Sequence, residues 1–92
     1  MLVLVVYDVP DDRDRTRWAH ELEGFGRRVQ YSVFECHLTA RRYRELRQRV
    51  KAFVAQTDDA SVRCYRLCAT CQQRVETFGK GPDVGDAAYF IA

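Results

Sequence analysis

The amino-acid sequence predicts an α/β sandwich in which two helices cover one face of a β-sheet. Apolar, β-branched segments alternate along the chain with segments whose apolar residues recur at helical spacing, in the order strand, helix, strand, helix, strand and then short strands. The length of 92 residues, 47% of them apolar, is typical of one compact domain with a modest core and little material for a deep pocket. We therefore expect residues 1–92 to form a single domain without a large substrate cavity.

The first strand and the first helix are predicted from residues 2–26. Residues 2–8 (LVLVVYD) form a short β-branched run, which is typical of a strand buried on both faces. Either Asp11 or Asp12 is a candidate N-cap for the helix that follows. The apolar residues of this helix are Trp18, Ala19, Leu22 and Phe25. Glycines at positions 24 and 26 end it.

The second strand and the second helix are predicted from residues 28–55. Residues 28–38 alternate without giving one cleanly apolar side, so we expect a bulge or kink near Ser32. This segment contains no turn signal, which favours one bent strand. Thr39 is a candidate cap for a helix through about Ala55. Its inward stripe comprises Tyr43, Leu46, Val50, Phe53 and Val54.

The last third of the chain reads as shorter elements. A turn at residues 57–60 leads to an extended segment at 62–67, and a short strand is predicted at 75–78. Residues 79–92 comprise a glycine-rich flexible loop, up to residue 86, and an apolar terminal strand. We expect that strand to pair with a sheet edge, either in its own subunit or in a partner subunit.

Arginine dominates the basic residues. Of 15 basic residues all but Lys51 and Lys80 are arginine, although the net charge is only +2. The planar guanidinium matches two phosphate oxygens at once, so a basic face that binds a nucleic-acid backbone is one interpretation, and a solvated helix face is the other. The candidate backbone-binding residues are Arg13, Arg27, Arg41, Arg42, Arg44, Arg47 and Arg49.

Asp8 is the sharpest candidate for chemistry, because it follows the most buried strand at the end where α/β sheets present ligand-binding groups. It is either a Mg²⁺ ligand or a turn residue that caps the next helix. One carboxylate is sparse for Mg²⁺, so a two-fold dimer would have to bring two copies of Asp8 together. Arg15 should point back toward Asp8, either as an ion-pair partner or, with Arg17 and Arg28, to hold a phosphodiester.

The remaining motifs argue mostly against zinc-binding, nucleotide-triphosphate-binding and membrane proteins. A zinc site is one interpretation of Cys64 and the Cys68-x-x-Cys71 motif, with Cys36 or His37 as the fourth ligand. Structural zinc sites usually have two such closely spaced ligand pairs, and the second is missing here, so small buried thiols are favoured. No glycine-rich phosphate loop precedes a helix. The apolar run at 2–6 is too short for a membrane span or a signal peptide, so we expect a cytoplasmic protein with reduced cysteines and no membrane partner.

Two segments together resemble the CRISPR-associated protein 2 family: YDVPDDRDRTR at 7–17 and RVQYSVFEC at 28–36. The order of the remaining segments is similar over nearly the whole chain. The resemblance implies an α+β, ferredoxin-like fold with an antiparallel sheet and two helices on one face. It also implies a homodimer in which the C-terminal strand packs on the other subunit, and a CRISPR-associated integrase as partner in spacer acquisition during antiviral defence.

The same resemblance implies a metal-dependent endonuclease acting on single-stranded RNA or double-stranded DNA. Asp8 would be the Mg²⁺ ligand and Ser32 would lie at the strand kink. The residues that would surround the active site are Tyr7, Arg15, Arg17, Arg28 and Phe34. The alternatives are a non-catalytic DNA-binding scaffold for the integrase and a ferredoxin-like regulatory module without a nucleic-acid role.

Overall fold

The computed structural model describes residues 1–80, which form four strands and three helices. The strands are β1 (Leu2–Asp8), β2 (Arg27–Gln30), β3 (Val33–His37) and β4 (Ser61–Leu67). The helices are α1 (Asp12–Glu23), α2 (Ala40–Gln56) and α3 (Ala69–Gln72). All strand pairs are antiparallel and the sheet order is β2-β3-β1-β4. This order, with α1 and α2 as the two long helices, confirms the predicted ferredoxin-like arrangement.

Side-chain oxygens cap both long helices at the positions that the sequence predicts. Asp11 accepts a hydrogen bond from the backbone N–H of Asp14 at 3.0 Å, and Thr39 accepts one from that of Arg42 at 3.1 Å. Each cap satisfies a backbone donor that has no partner within the helix, which stabilises the folded state by about 1 kcal/mol.

The core lies between the helices and one face of the sheet. Val3, Val5 and Tyr7 alternate along β1 onto this face, and Trp18 of α1 stacks on Phe53 of α2 with ring centroids 4.4 Å apart. The stripe predicted for α2 is confirmed except at Val54, which is 38% exposed. Val54 lies about 100° around the helix from Phe53, and this rotation turns it away from the sheet.

The prediction of one bent strand at 28–38 is wrong. Tyr31 and Ser32 form a turn that separates β2 from β3, and the irregularity is a bulge between Arg28 and Gln30. Contacts from β1 explain why a turn forms without glycine or asparagine. The backbone N–H of Tyr7 donates to the carbonyl of Ser32 at 3.1 Å, and the Tyr7 hydroxyl donates to the backbone carbonyl of Tyr31 at 3.4 Å. Tertiary hydrogen bonds hold this hairpin.

The face of the sheet opposite the helices, here called the open face, carries Leu2, Leu4, Val6 and Asp8 of β1. Leu2 is fully buried, Leu4 and Val6 are half-buried, and Asp8 is exposed. Solvent exposure on this face therefore increases along β1. None of the helices within residues 1–80 is long and apolar enough to cross a bilayer.

The chain after β4 differs from the prediction. The short helix α3 follows Cys68, and the strand predicted at 75–78 does not form. Residues 75–78 instead line a groove of about 260 Å³ with Gln30 and Glu35, so they lie across the sheet instead of pairing along an edge. Most of the predicted loop 79–86, and all of the predicted terminal strand with its contact to a partner subunit, lie outside the described residues.

Candidate active site and nucleic-acid surface

Asp8 is an exposed carboxylate at the end of β1. Strand alternation places it on the open face, opposite Ser61 of β4. Its oxygens make no hydrogen bond or ion pair with any other residue in the range 1–80. The two structural roles considered for Asp8 go to other residues, because Asp11 caps α1 and Asp12 is the ion-pair partner of Arg15. Asp8 is therefore free to bind a cation.

Tyr7, Phe34 and Arg28 meet on the helix side of the sheet, opposite Asp8. The rings of Tyr7 and Phe34 are buried with centroids 6.3 Å apart, and the Arg28 guanidinium lies 5.6 Å from the centroid of Phe34. The register explains the cluster, because Phe34 pairs with Val5 of β1 and with Arg28 of β2. The structure thus brings three of the predicted site residues together and puts the sheet between them and the Asp8 carboxylate.

A groove of about 280 Å³ lies between α1 and the hairpin turn. Arg15 extends into it from α1, donates to the carbonyl of Val9 at 2.9 Å, pairs with Asp12 and lies over the ring of Tyr31. Arg28 lines the other side, and Tyr31 is 67% exposed. Two guanidinium groups beside an accessible aromatic ring suit a phosphate and a stacked base.

The remaining predicted residues of the N-terminal half lie outside this groove. Arg17 is exposed on α1 and pairs with Asp14 at 2.6 Å, and Arg13 is exposed on the same helix. Arg27 is half-buried on the open face opposite Glu35. Arg13 and Arg17 are therefore accessible to a ligand, whereas Arg27 is partly enclosed.

Some arginines of α2 bind other parts of the protein. Arg42 pairs with Glu45, donates to the carbonyl of Gly24 at 2.7 Å and lies over the Phe25 ring at 4.3 Å. Arg49 pairs with Glu21 of α1 at 3.2 Å. These contacts attach α2 to α1 and its C-terminal end, so both guanidinium groups already have anionic or carbonyl partners.

A second set of α2 side chains forms what we call the outer strip: Arg41, Arg44, Arg47 and Lys51. All four are exposed, and only Arg41 has an ion pair inside residues 1–80, with Glu45 at 3.7 Å. Helical geometry places these positions within about 120° of one another on the solvent side. The basic face predicted for α2 is therefore divided, and this strip is the part available to phosphates.

Two arginines of β4 extend these surfaces and were missed at the level of sequence. Arg66 lies on the helix side with its guanidinium 5.2 Å from the ring centroid of Tyr43, beside the outer strip. Arg63 lies on the open face opposite Val6, next to Asp8, and donates to the Tyr65 hydroxyl at 3.3 Å. The alternation of residues 61–67 contains this information, but only the pairing with β1 identifies which face is which.

Among residues 1–80, the predicted ligand Asp8 fits Mg²⁺ only in part. Across residues 1–80 no three His, Cys, Asp or Glu side chains cluster in a way that could hold a metal. Mg²⁺ takes oxygen ligands and keeps several waters, so one unpaired carboxylate fits the ion as a single ligand.

The cysteines do not form a zinc site within this range. Cys36 is buried, and burial raises the pKa of its thiol to about 12. Cys64 is half-buried, and burial also raises its pKa. Cys68 and Cys71 are exposed, so the prediction that the thiols are buried is wrong for these two.

Comparison with known proteins agrees with this architecture. Residues 1–75 match the family model described as CRISPR associated protein Cas2. The CRISPR-associated endoribonuclease Cas2 1 of Chloroflexus aurantiacus is 43% identical over 82 residues, covering 89% of this chain and 88% of that protein. The CRISPR-associated endonuclease Cas2 2 of Thermus thermophilus is 41% identical over 81 residues, covering 88% of this chain and 84% of that one.

A solved structure extends the comparison to three dimensions. A chain of a partial Cas6-RT-Cas1–Cas2 complex aligns with a TM-score of 0.69 at 30% identity, covering 83% of this chain and 88% of that chain. Family model, curated relatives and fold agree over most of the length, and the chain belongs to the CRISPR-associated protein Cas2 family.

Proposed function

We propose that this protein acts in CRISPR spacer acquisition as a homodimeric, Mg²⁺-dependent endonuclease that hydrolyses phosphodiester bonds of single-stranded RNA or double-stranded DNA. The observation that carries the proposal is the exposed Asp8 carboxylate, which has no partner in residues 1–80 and lies at the end of the central strand β1. The names of its relatives, one an endoribonuclease and one an endonuclease, support a nuclease without deciding the substrate.

A homodimer supplies the second carboxylate that one chain lacks. The open face carries half-buried Leu4 and Val6 and the 47% exposed ring of Tyr65, which together favour cover by another polypeptide. A two-fold axis that passes through this face near the end of β1 would place the second Asp8 beside the first. Two carboxylates close together repel each other, and a divalent cation between them relieves that repulsion.

The chain's own residues then have distinct tasks. When bound, Mg²⁺ polarises a phosphoryl oxygen and lowers the pKa of a water molecule. Asp8 holds the ion, and Arg63, its neighbour on the open face, compensates negative charge on the phosphate. Asp8 pairs with Ser61, which is a poor general base, so we expect slow turnover.

The groove beside α1 suits a nucleotide of the same substrate farther from the cleaved bond, because the sheet separates Arg28 from Asp8. Arg15 and Arg28 would bind phosphate oxygens there, and the exposed ring of Tyr31 would stack on a base. Tyr7 and Phe34 support this region from within the core, because Tyr7 holds the hairpin turn and Phe34 packs under Arg28. In this assignment both aromatic side chains position other groups.

The outer strip of α2 favours a second candidate function, a DNA-binding scaffold that performs no chemistry. Arg44, Arg47 and Lys51 have no hydrogen-bond or ion-pair partner in residues 1–80 and face solvent along one helix side, as a duplex backbone requires. The structural neighbour belongs to a complex that contains Cas1 and Cas2, which supports an integrase as partner. Both functions are compatible in one dimer.

A cleavage assay on short RNA and duplex DNA, with Mg²⁺ or with EDTA, tests the catalytic proposal. Asp8→Asn is expected to lower the cleavage rate by about 100-fold or more while leaving binding unchanged, because it removes a metal ligand and no phosphate contact. Asp58→Asn, which alters an exposed carboxylate in the turn after α2, is the matched control and should cleave normally. Cleavage by Asp8→Asn at the wild-type rate contradicts the proposal, and wild-type binding without Mg²⁺-dependent cleavage favours the scaffold.

A further inference from the structure

Cys68 and Cys71 form an exposed pair of thiols that the nuclease does not use. Cys68 is the N-cap of α3, and its Sγ accepts a hydrogen bond from the backbone N–H of Cys71 at 3.5 Å. This contact folds the Cys68 side chain over the first turn, toward the residue three positions later. Neither cysteine is in a disulfide, and both side chains are accessible to solvent.

The contacts between these two residues make them chemically unequal. Hydrogen bonds from the backbone and side chain of Cys71 lower the pKa of Cys68, because they stabilise its thiolate. The hydrogen bond to Cys68 raises the pKa of Cys71. An accessible thiol with a lowered pKa beside a second thiol is the arrangement found in reactive Cys-x-x-Cys pairs.

The other two cysteines provide an internal contrast. Cys36 is fully buried beneath the helices, and Cys64 is half-buried on the helix side of β4. Thiols that are enclosed by apolar side chains react slowly, since reagents do not reach them and burial disfavours the thiolate. Reaction with a dissolved oxidant is therefore restricted by the fold to the turn after β4.

We propose that Cys68 and Cys71 are a thiol–disulfide exchange site whose co-substrates are small-molecule disulfides of the glutathione class. The inference is independent of nuclease activity, because neither residue contacts the groove or the open-face carboxylate. It assigns Cys68 as the attacking residue and Cys71 as the resolving residue.

The exchange proceeds in two balanced steps. The Cys68 thiolate attacks one sulfur of the small disulfide, so a mixed disulfide forms, the original S–S bond breaks and one thiolate leaves. Cys71 then loses its proton and attacks the Cys68 sulfur, which forms the bond between the two residues and releases the second thiolate. Two electrons pass from the protein to the small disulfide, and the departing thiolates take up the two protons.

The position of the pair gives the modification a structural effect. The turn at Cys68 and Cys71 connects β4 to the segment that crosses the sheet as residues 75–78. A disulfide closes a small ring around this turn and reduces the number of conformations that the following residues can adopt. Oxidation is therefore expected to restrict the path that the chain takes after β4.

The test uses the full, reduced chain at about pH 7 with oxidised glutathione, followed by acid quenching, alkylation and peptide mass mapping. The wild type is expected to lose both exposed thiols to a Cys68–Cys71 disulfide and to retain no glutathione. Cys71→Ser should instead keep glutathione on Cys68, because the resolving thiol is gone. Cys68→Ser should react roughly ten-fold more slowly than Cys71→Ser, because only Cys68 accepts a backbone N–H hydrogen bond that stabilises its thiolate, and Cys71→Ser retains that donor.

Three results would overturn the proposal. Glutathione adducts that accumulate on the wild type without an internal disulfide would show that Cys71 does not resolve. Equal rates for the two single variants would show that the contact does not activate Cys68. In urea the rates at all cysteines should converge, so preferential reaction of Cys68 that persists after unfolding would show that the fold is not its cause.

Discussion

At the scale of single residues, two neighbours in the sequence, Tyr7 and Asp8, lie on opposite faces of the sheet. Tyr7 and Asp8 are adjacent and belong to one motif, yet alternation along β1 sends Tyr7 into the core and Asp8 onto the open face. The sequence indicated Thr39 as the cap of α2 and narrowed the cap of α1 to Asp11 or Asp12, because capping depends on residues three positions away. It did not indicate that Arg15 pairs with Asp12, since several acids lie within its reach.

Gly26 shows how strictly one position can be constrained. A Cβ at Gly26 would lie 2.2 Å from the carbonyl oxygen of Glu35 and 2.6 Å from Sγ of Cys36, so β2 can approach β3 there only without a side chain. Gly26→Ala is expected to lower the free energy of unfolding by about 1–3 kcal/mol or more, because the strands have to move apart. Urea unfolding measures this change.

Gly24 provides the control for that measurement. It has a helical backbone conformation, and an added Cβ would lie 3.4 Å from the carbonyl of Glu21, which is an ordinary contact. Gly24→Ala should therefore change the free energy of unfolding by less than about 1 kcal/mol, with stabilisation the expected sign. Similar losses in both variants would mean that the clash at Gly26 is not the cause.

At the scale of elements, the sequence predicted the helices and strands that short-range patterns determine. The first strand, both long helices and the extended segment that forms β4 follow from apolar periodicity and caps. The hairpin at Tyr31 and Ser32 was missed because hydrogen bonds from Tyr7, distant in sequence, hold the turn. Helix α3 was missed because it is short and its N-cap is a cysteine, which is a weak capping signal.

The division of α2 predicts which arginines bind a nucleic-acid backbone. Changing Arg44 and Arg47 to alanine together should weaken duplex binding regardless of sequence and flatten the plot of log affinity against log salt by roughly 0.9 per lost contact. Arg42→Ala should leave that slope unchanged while lowering stability, because Arg42 is bound to Glu45, Gly24 and Phe25. Binding titrations at several salt concentrations separate the two effects, and an unchanged slope for the double variant excludes the outer strip.

At the scale of the whole molecule, the order of elements determines the fold, and the open face is the surface on which we propose that two copies meet. The placement of two helices on one face of an antiparallel sheet could be predicted from the order of patterns and from the family resemblance, whereas the strand order depends on the division of residues 28–38 into β2 and β3. The approach of two Asp8 side chains stays a proposal, because it depends on a symmetry axis outside the single chain.

His37 links the stability of the whole fold to pH. It is buried at the end of β3, and burial lowers its pKa below 6.5, with further lowering by the N-terminal ammonium group and Arg27. Above about pH 6.5 the ring is neutral in both states and the full stability is present. Below that pH the unfolded chain binds a proton before the folded chain does, so the free energy of unfolding decreases.

Chemical unfolding at about pH 8 and about pH 5.5, at one protein concentration, measures this dependence. His37→Gln should show a smaller loss of stability on acidification than the wild type. His20→Gln, which changes a histidine that is 73% exposed on α1, is the control for the loss of an imidazole. If the three proteins lose stability equally between the two pH values, His37 is not responsible.

The pairing of two Asp8 carboxylates around one Mg²⁺ is the central claim, and subunit mixing tests it most directly. Wild-type and Asp8→Asn chains are unfolded together, refolded at varied ratios, and assayed for Mg²⁺-dependent cleavage at constant total protein. If both carboxylates serve one site, mixed dimers are inactive, and an equal mixture retains about a quarter of the wild-type rate. An equal mixture that retains about half of that rate would show that each Asp8 acts alone and would contradict the claim.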